Sequence, residues 1–155
     1  MAYAKNTSVS TEKSRAEIER TLQRYGATSF SYGWEGSNAA IMFAAQDRRV
    51  RFVLTMPDRN DRQFTHTEAQ RRKRSEDQAH EHWEKACRQR WRALALIVKA
   101  KLEAIESGIS TFEDEFLAHV LLPDGSTVGD FMGPQLKHVY ATGEMPSFLQ
   151  LGSGD

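Results

Sequence analysis

The stretch "AHEHWEKACRQRWR", residues 79–92, gathers most of the chemistry-capable side chains of the chain: His80, His82, Glu84 and Cys87, set among tryptophans and arginines. His, Cys and Glu are the ligands a transition metal takes. If the stretch is helical, His80 and Glu84 stand one turn apart, whereas His80 and His82 diverge by about 200°. A zinc site would need a second ligand pair downstream, and none follows, so no metal is expected. Cys87 with a histidine is also the smallest nucleophilic pair, but it falls on the Trp83–Trp91 stripe, where a lone thiol acts as a small hydrophobe. No nucleophile elbow, phosphate-binding glycine loop or HExxH occurs. The carboxylates Glu113, Asp114 and Glu115 crowd a first helical turn, where the helix dipole accounts for them. These readings predict a protein that is not an enzyme and carries no cofactor.

The second candidate chemistry is phosphate binding. Arg48, Arg49 and Arg51 share a predicted strand, Arg71, Arg72, Lys73 and Arg74 form a run, and Arg88 and Arg92 lie on the helix that follows. Four to six phosphate contacts give useful, salt-sensitive affinity for nucleic acid. Against this stands the overall neutrality, with 21 Lys/Arg and 21 Asp/Glu, since nucleic-acid binders are usually basic. The neutrality conceals a polarity. Residues 1–101 carry 20 Lys/Arg against 12 Asp/Glu, a balance of +8, and residues 102–155 carry one Lys against nine Asp/Glu, a balance of −8. Either the halves attract each other within one fold, or the chain shows a basic and an acidic surface to different partners.

The elements that position these groups follow from periodicity. "STEKSRAEIERTLQRYGA", residues 10–27, predicts a helix capped by Ser10 or Thr11, stopped by Gly26, with Ile18, Leu22 and Tyr25 on one face. Three short alternating runs then predict an antiparallel meander. One face collects Phe30, Tyr32, Trp34, Ile41, Phe43, Val50, Phe52 and Leu54 and is expected to pack on helices. The other is small and basic, with Ser29, Ser31, Gly33, Ala40, Arg49 and Arg51. Residues 58–78 show no apolar period and read as a mobile basic connector with Phe64 as its one anchor. A long central helix is expected from about Glu76 to Ser107, covered on more than one side at "LALIV" and stopped by Gly108. A helix capped by Ser110 with Glu113, a Pro-Asp-Gly turn and a helix interrupted or kinked at Gly133-Pro134 complete the chain.

The expectation is therefore one α+β domain over residues 1–155. Residues 1–57 form the helix and sheet, 58–78 the connector, 79–150 the helical part and 151–155 a disordered tail. No apolar run reaches membrane-spanning length and the N-terminus lacks a signal-type segment. With Cys87 as the single cysteine, a reduced, cytoplasmic protein is expected. The order of helix, three antiparallel strands and helix resembles that of double-stranded-RNA-binding domains, without the glycine- or lysine-bearing motif of that family.

"GISTFEDEFLAHVLLPDGSTVGDF", residues 108–131, together with "RRVRFVLTMPD", residues 48–58, resembles a family of small phage- and prophage-encoded proteins. The resemblance covers most of the chain and implies a phage-related setting in a bacterial host cell; it brings no catalytic residue with it. Together with the absence of a catalytic signature, it points to an accessory protein that binds a host or phage protein. Nucleic-acid binding through the arginines is the alternative. A homodimer seam along the long helix is a further expectation.

Overall fold

The computed structural model describes residues 9–146; the expected tail at 151–155 lies outside them. Helix α1, Thr11–Tyr25, begins where the Ser10 hydroxyl accepts from the Lys13 N–H and ends where Gly26 takes the left-handed conformation at φ 110°. Strands β1, Ser29–Glu35, β2, Asn38–Ala45, and β3, Arg48–Leu54, form an antiparallel sheet in the order β1-β2-β3. Both hairpins are two-residue turns, since Glu35 pairs with Asn38 and Ala45 with Arg48. The second turn is built from Gln46 and Asp47, both at positive φ. That geometry matches the right-handed twist of the flanking strands, although neither residue is glycine.

The register stacks Tyr32, Ile41 and Phe52 across one face, with Phe30, Phe43 and Val50 one pair along. Ile41, Phe43, Val50 and Phe52 are buried as expected. Phe30 is half-buried, but Tyr32 is 43% exposed and Trp34 63% exposed. The expectation that all three aromatics of β1 would be covered is thus corrected. β1 is an edge strand, and among the described residues no further strand pairs with its outer side.

Helix α3, Glu76–Glu106, opens with a capping box between Ser75 and Gln78 and buries Trp91, Leu94, Ala95, Val98 and Leu102. These fill the core with Ile18 and Leu22 of α1 against the inner face of the sheet. Within "LALIV", Leu96 is half-buried and Ile97 is 40% exposed, so the helix is covered mainly on one side. Its buried apolar stripe packs within the chain's own core, against α1 and the sheet.

Residues 58–78 differ from a plain connector. Asp61 caps a short helix, α2, Arg62–Thr65, which buries Phe64. A bridge joins His66 to Lys73, and Arg74 donates to the carbonyl oxygens of Gln63 and Phe64 at 2.9 and 3.0 Å. The missing apolar period hid this lobe, because side-chain-to-backbone bonds and one phenylalanine hold it.

After α3, Thr111 rather than Ser110 caps the next helix, accepting from the Asp114 N–H. Helix α4, Phe112–Phe116, sends both phenylalanines inward, and Phe116 meets Phe43 and Phe52 edge-on at 5.5 and 6.0 Å. A 3₁₀ turn, Leu117–His119, leads to a tight Pro-Asp-Gly hairpin whose start bridges β3, with Leu121 N–H donating to Arg49 O at 2.8 Å. Helix α5, Val128–Thr142, starts at a Thr127–Asp130 capping box and runs through Pro134 as one element. A Cβ on Gly129 would stand 2.9 Å from the Ala118 carbonyl oxygen, so glycine lets α5 approach that turn. Among the described residues no helix is long and apolar enough to cross a membrane.

Two outcomes test this packing. Trp91 is 1% exposed, and Trp91→Ala should cost about 3–5 kcal/mol in chemical denaturation; a loss under about 1 kcal/mol would disprove its burial. His119 stacks on Phe52 with ring centroids 3.9 Å apart. Burial, then the charge of Lys101, pushes its imidazole below the ordinary value of 6.5, while a hydrogen bond involving the Arg51 backbone acts the other way. The folded state therefore favours the neutral ring, and the unfolded chain takes up the proton first. Stability should be full above pH 6.5 and decline as the pH falls through that value toward the lower folded one. Denaturation at pH 7.5 and 5.5 should show a larger drop for the wild type than for His119→Gln; equal drops would refute the assignment.

Candidate functional site

At the end of the sheet where β1 turns into β2, four segments that are distant in sequence enclose an open groove of about 940 Å³. The first turn of α1 supplies Glu12, the end of β1 supplies Trp34, the chain leaving β3 supplies Met56 to Asn60, and α3 supplies Trp83, Cys87, Arg88 and Trp91. Its size is that of a ligand pocket, and its walls mix aromatic surface with a few charged groups.

The α3 wall is fixed by contacts that begin at Pro57. Pro57 follows the end of β3 by three residues, and its carbonyl accepts from the Trp83 indole at 2.8 Å. Asp58 then accepts from the Asn60 N–H at 2.9 Å, tightening the turn. That places the Arg59 guanidinium 4.7 Å from the Trp83 ring centroid and 2.8 Å from His80 Nδ1. Arginine can only donate, so Nδ1 accepts and the ring proton sits on Nε2, which reaches Glu84 at 3.1 Å. Both nitrogens of His80 are thereby engaged by neighbouring side chains. No group of three His, Cys, Asp or Glu suited to a metal exists among the described residues. Burial, then the neighbouring Glu84 carboxylate, pushes the Cys87 thiol above its ordinary value, which keeps it protonated and a weak nucleophile at neutral pH.

The arginines singled out by sequence are dispersed. Arg48 pairs with Glu113 at 3.2 Å, Arg51 with Asp130 at 3.6 Å, and Arg92 with Glu17 of α1. Arg74 binds the backbone of its own lobe. Arg88 lines the groove, whereas Arg49, Arg71, Arg72 and Lys73 are exposed. With Lys101–Glu115 at 3.7 Å, three pairs tie the basic part of the chain to its acidic part. The charge polarity is therefore used in part inside the fold.

Sequence reasoning had Trp83, Cys87 and Trp91 on one stripe but missed that Trp34, Glu12 and the Pro57 turn complete a groove around them. No local signal marks the groove, because its segments meet only in the fold. Comparison with protein-family models, with curated proteins and with solved structures finds no match.

The distinction between committed and free cations is measurable. The Arg92–Glu17 side chains are 25% and 31% exposed, so Arg92→Ala should destabilise the fold by about 1–2 kcal/mol. Replacing Arg71, Arg72 and Lys73 together by alanine should change stability by less than about 0.5 kcal/mol. Equal effects in urea denaturation would contradict this division.

Proposed function

We propose that the protein is a non-enzymatic accessory protein of phage type that acts by holding a segment of a host or phage protein in the tryptophan-walled groove. The observation that carries this reading is the groove itself, which is open, walled by aromatic side chains and edged by both signs of charge. Such a surface suits an amphipathic peptide, in which apolar and polar side chains alternate along one strand of chain. The contacts of His80 with Arg59 and Glu84 and the raised Cys87 thiol weigh against catalysis in the same place. Nucleic-acid binding is the second reading, favoured by the exposed run Arg71, Arg72 and Lys73. It is weakened because Arg48, Arg51 and Arg92 are paired to carboxylates of the same chain.

Selection from a random twelve-residue peptide library on the full chain should enrich binders whose affinity falls at least tenfold with Trp34→Ala. That side chain is 63% exposed, so its removal leaves the core intact. In parallel, gel-shift assays with duplex DNA and with RNA at low salt should show no retention. Failure to enrich peptides, combined with retention that weakens steeply with salt, would overturn the peptide reading in favour of nucleic acid.

A further inference from the structure

Building on the peptide reading, we propose that the groove recognises a cationic side chain, arginine or lysine, laid on the face of Trp34 with its charge answered by Glu12. Arginines of the chain already lie on aromatic faces twice, beside a looser Lys101–Phe116 contact at 5.8 Å. The Arg15 guanidinium lies 3.7 Å from the centroid of Tyr32, two residues before Trp34 on the same face of β1. Arg59 covers Trp83 across the groove at 4.7 Å. Trp34, on the same face of β1 as Tyr32, is more exposed than either ring, and no cation or ring meets it among the described residues. An indole is the best of the aromatic faces for a cation. Where the protein's own arginines stop, the position is left to a partner.

Charge selects the ligand. The groove holds three carboxylates, Glu12, Asp58 and Glu84, against two guanidiniums, Arg59 and Arg88. Arg59 is already committed to Trp83 and His80, Asp58 to the Asn60 N–H, and Glu84 to His80. Glu12, in the first turn of α1, has no partner among the described residues. Arg88 on α3 is likewise without an ion pair among the described residues, so a ligand cation is drawn to Glu12 and away from the Arg88 side, and a neutral ring on Trp34 would leave Glu12 unanswered. A guanidinium or ammonium satisfies both groups at once, joining ring stacking to a charge-assisted hydrogen bond.

The test uses peptides selected from the twelve-residue library on the full chain. Binders should share an Arg or Lys. Replacing that arginine by citrulline, neutral and nearly isosteric, should weaken binding at least tenfold, as should Trp34→Leu, which keeps apolar bulk and loses the π face. Trp34→Phe should stay within about threefold of wild type, and Glu12→Gln should weaken binding severalfold and flatten its salt dependence. The citrulline swap should cost less than twofold in the Trp34→Leu background. Binders without a cationic residue, or equal citrulline losses in both backgrounds, overturn the inference while leaving peptide capture standing. Absence of any peptide binder overturns both.

Discussion

The structure depends on one packing problem: a three-stranded sheet must be covered by a helix longer than itself. Three strands span about 14 Å across at ~4.8 Å per strand. The seven residues of β3 reach about 23 Å along the chain at ~3.3 Å each. Helix α3, with 31 residues, is about 46 Å long at ~1.5 Å per residue. Only its second half, from Trp91 to Leu102, lies buried on the sheet and α1. The first half overhangs, and the chain supports it with the folded lobe at 58–75, the Pro57–Trp83 hydrogen bond and the Arg59–Trp83 stack. The groove is the space left where that support meets the end of the sheet.

The same constraint explains the role of charge. A sheet this narrow leaves β3 near the surface, so its arginines meet whatever docks beside it. Arg48 and Arg51 bind carboxylates of the C-terminal segment, while Leu121 donates to Arg49 and Val120 bridges Val50. The backbone contacts set the register of this docking, and the partly exposed ion pairs add a modest electrostatic preference. Aromatic packing supplies the apolar share, with Phe112 and Phe116 of α4 buried against the sheet. Helix α5, by contrast, has no buried residue and leaves Phe131, Leu136 and Tyr140 exposed.

The fold class was legible because its elements carry strong local signals. Ser10, Ser75 and Gly26 cap helices as their types require, and the alternation in β2 and β3 names the buried face. What escaped was context. The pattern of β1 equals that of its neighbours, yet Tyr32 and Trp34 are exposed because the strand lies at an edge. Periodicity reports which face a residue is on, not whether anything covers it. The lobe at 58–75 escaped for a different reason, since polar-to-backbone bonds leave no apolar period. The groove, joining Glu12, Trp34, Pro57 and Trp83, could not be read locally at all.

A site made from an overhang has a physical consequence. Its walls come from the first turn of α1, a hairpin turn and the less buried half of α3, which are the parts of a fold that open most readily. A ligand that bridges Glu12, Trp34 and the α3 wall would join three such segments, and the ordering it imposes offsets some of its binding energy. The helix support lowers that cost on one side. Trp83, Arg59, His80 and Glu84 already hold one another through a ring stack and hydrogen bonds, so the α3 wall is formed before any ligand arrives. The remaining wall carries Trp34 near the end of β1, in the ladder opposite Ala39. Preorganisation of the α3 wall, rather than the groove's area, is what would let a groove this open discriminate between ligands.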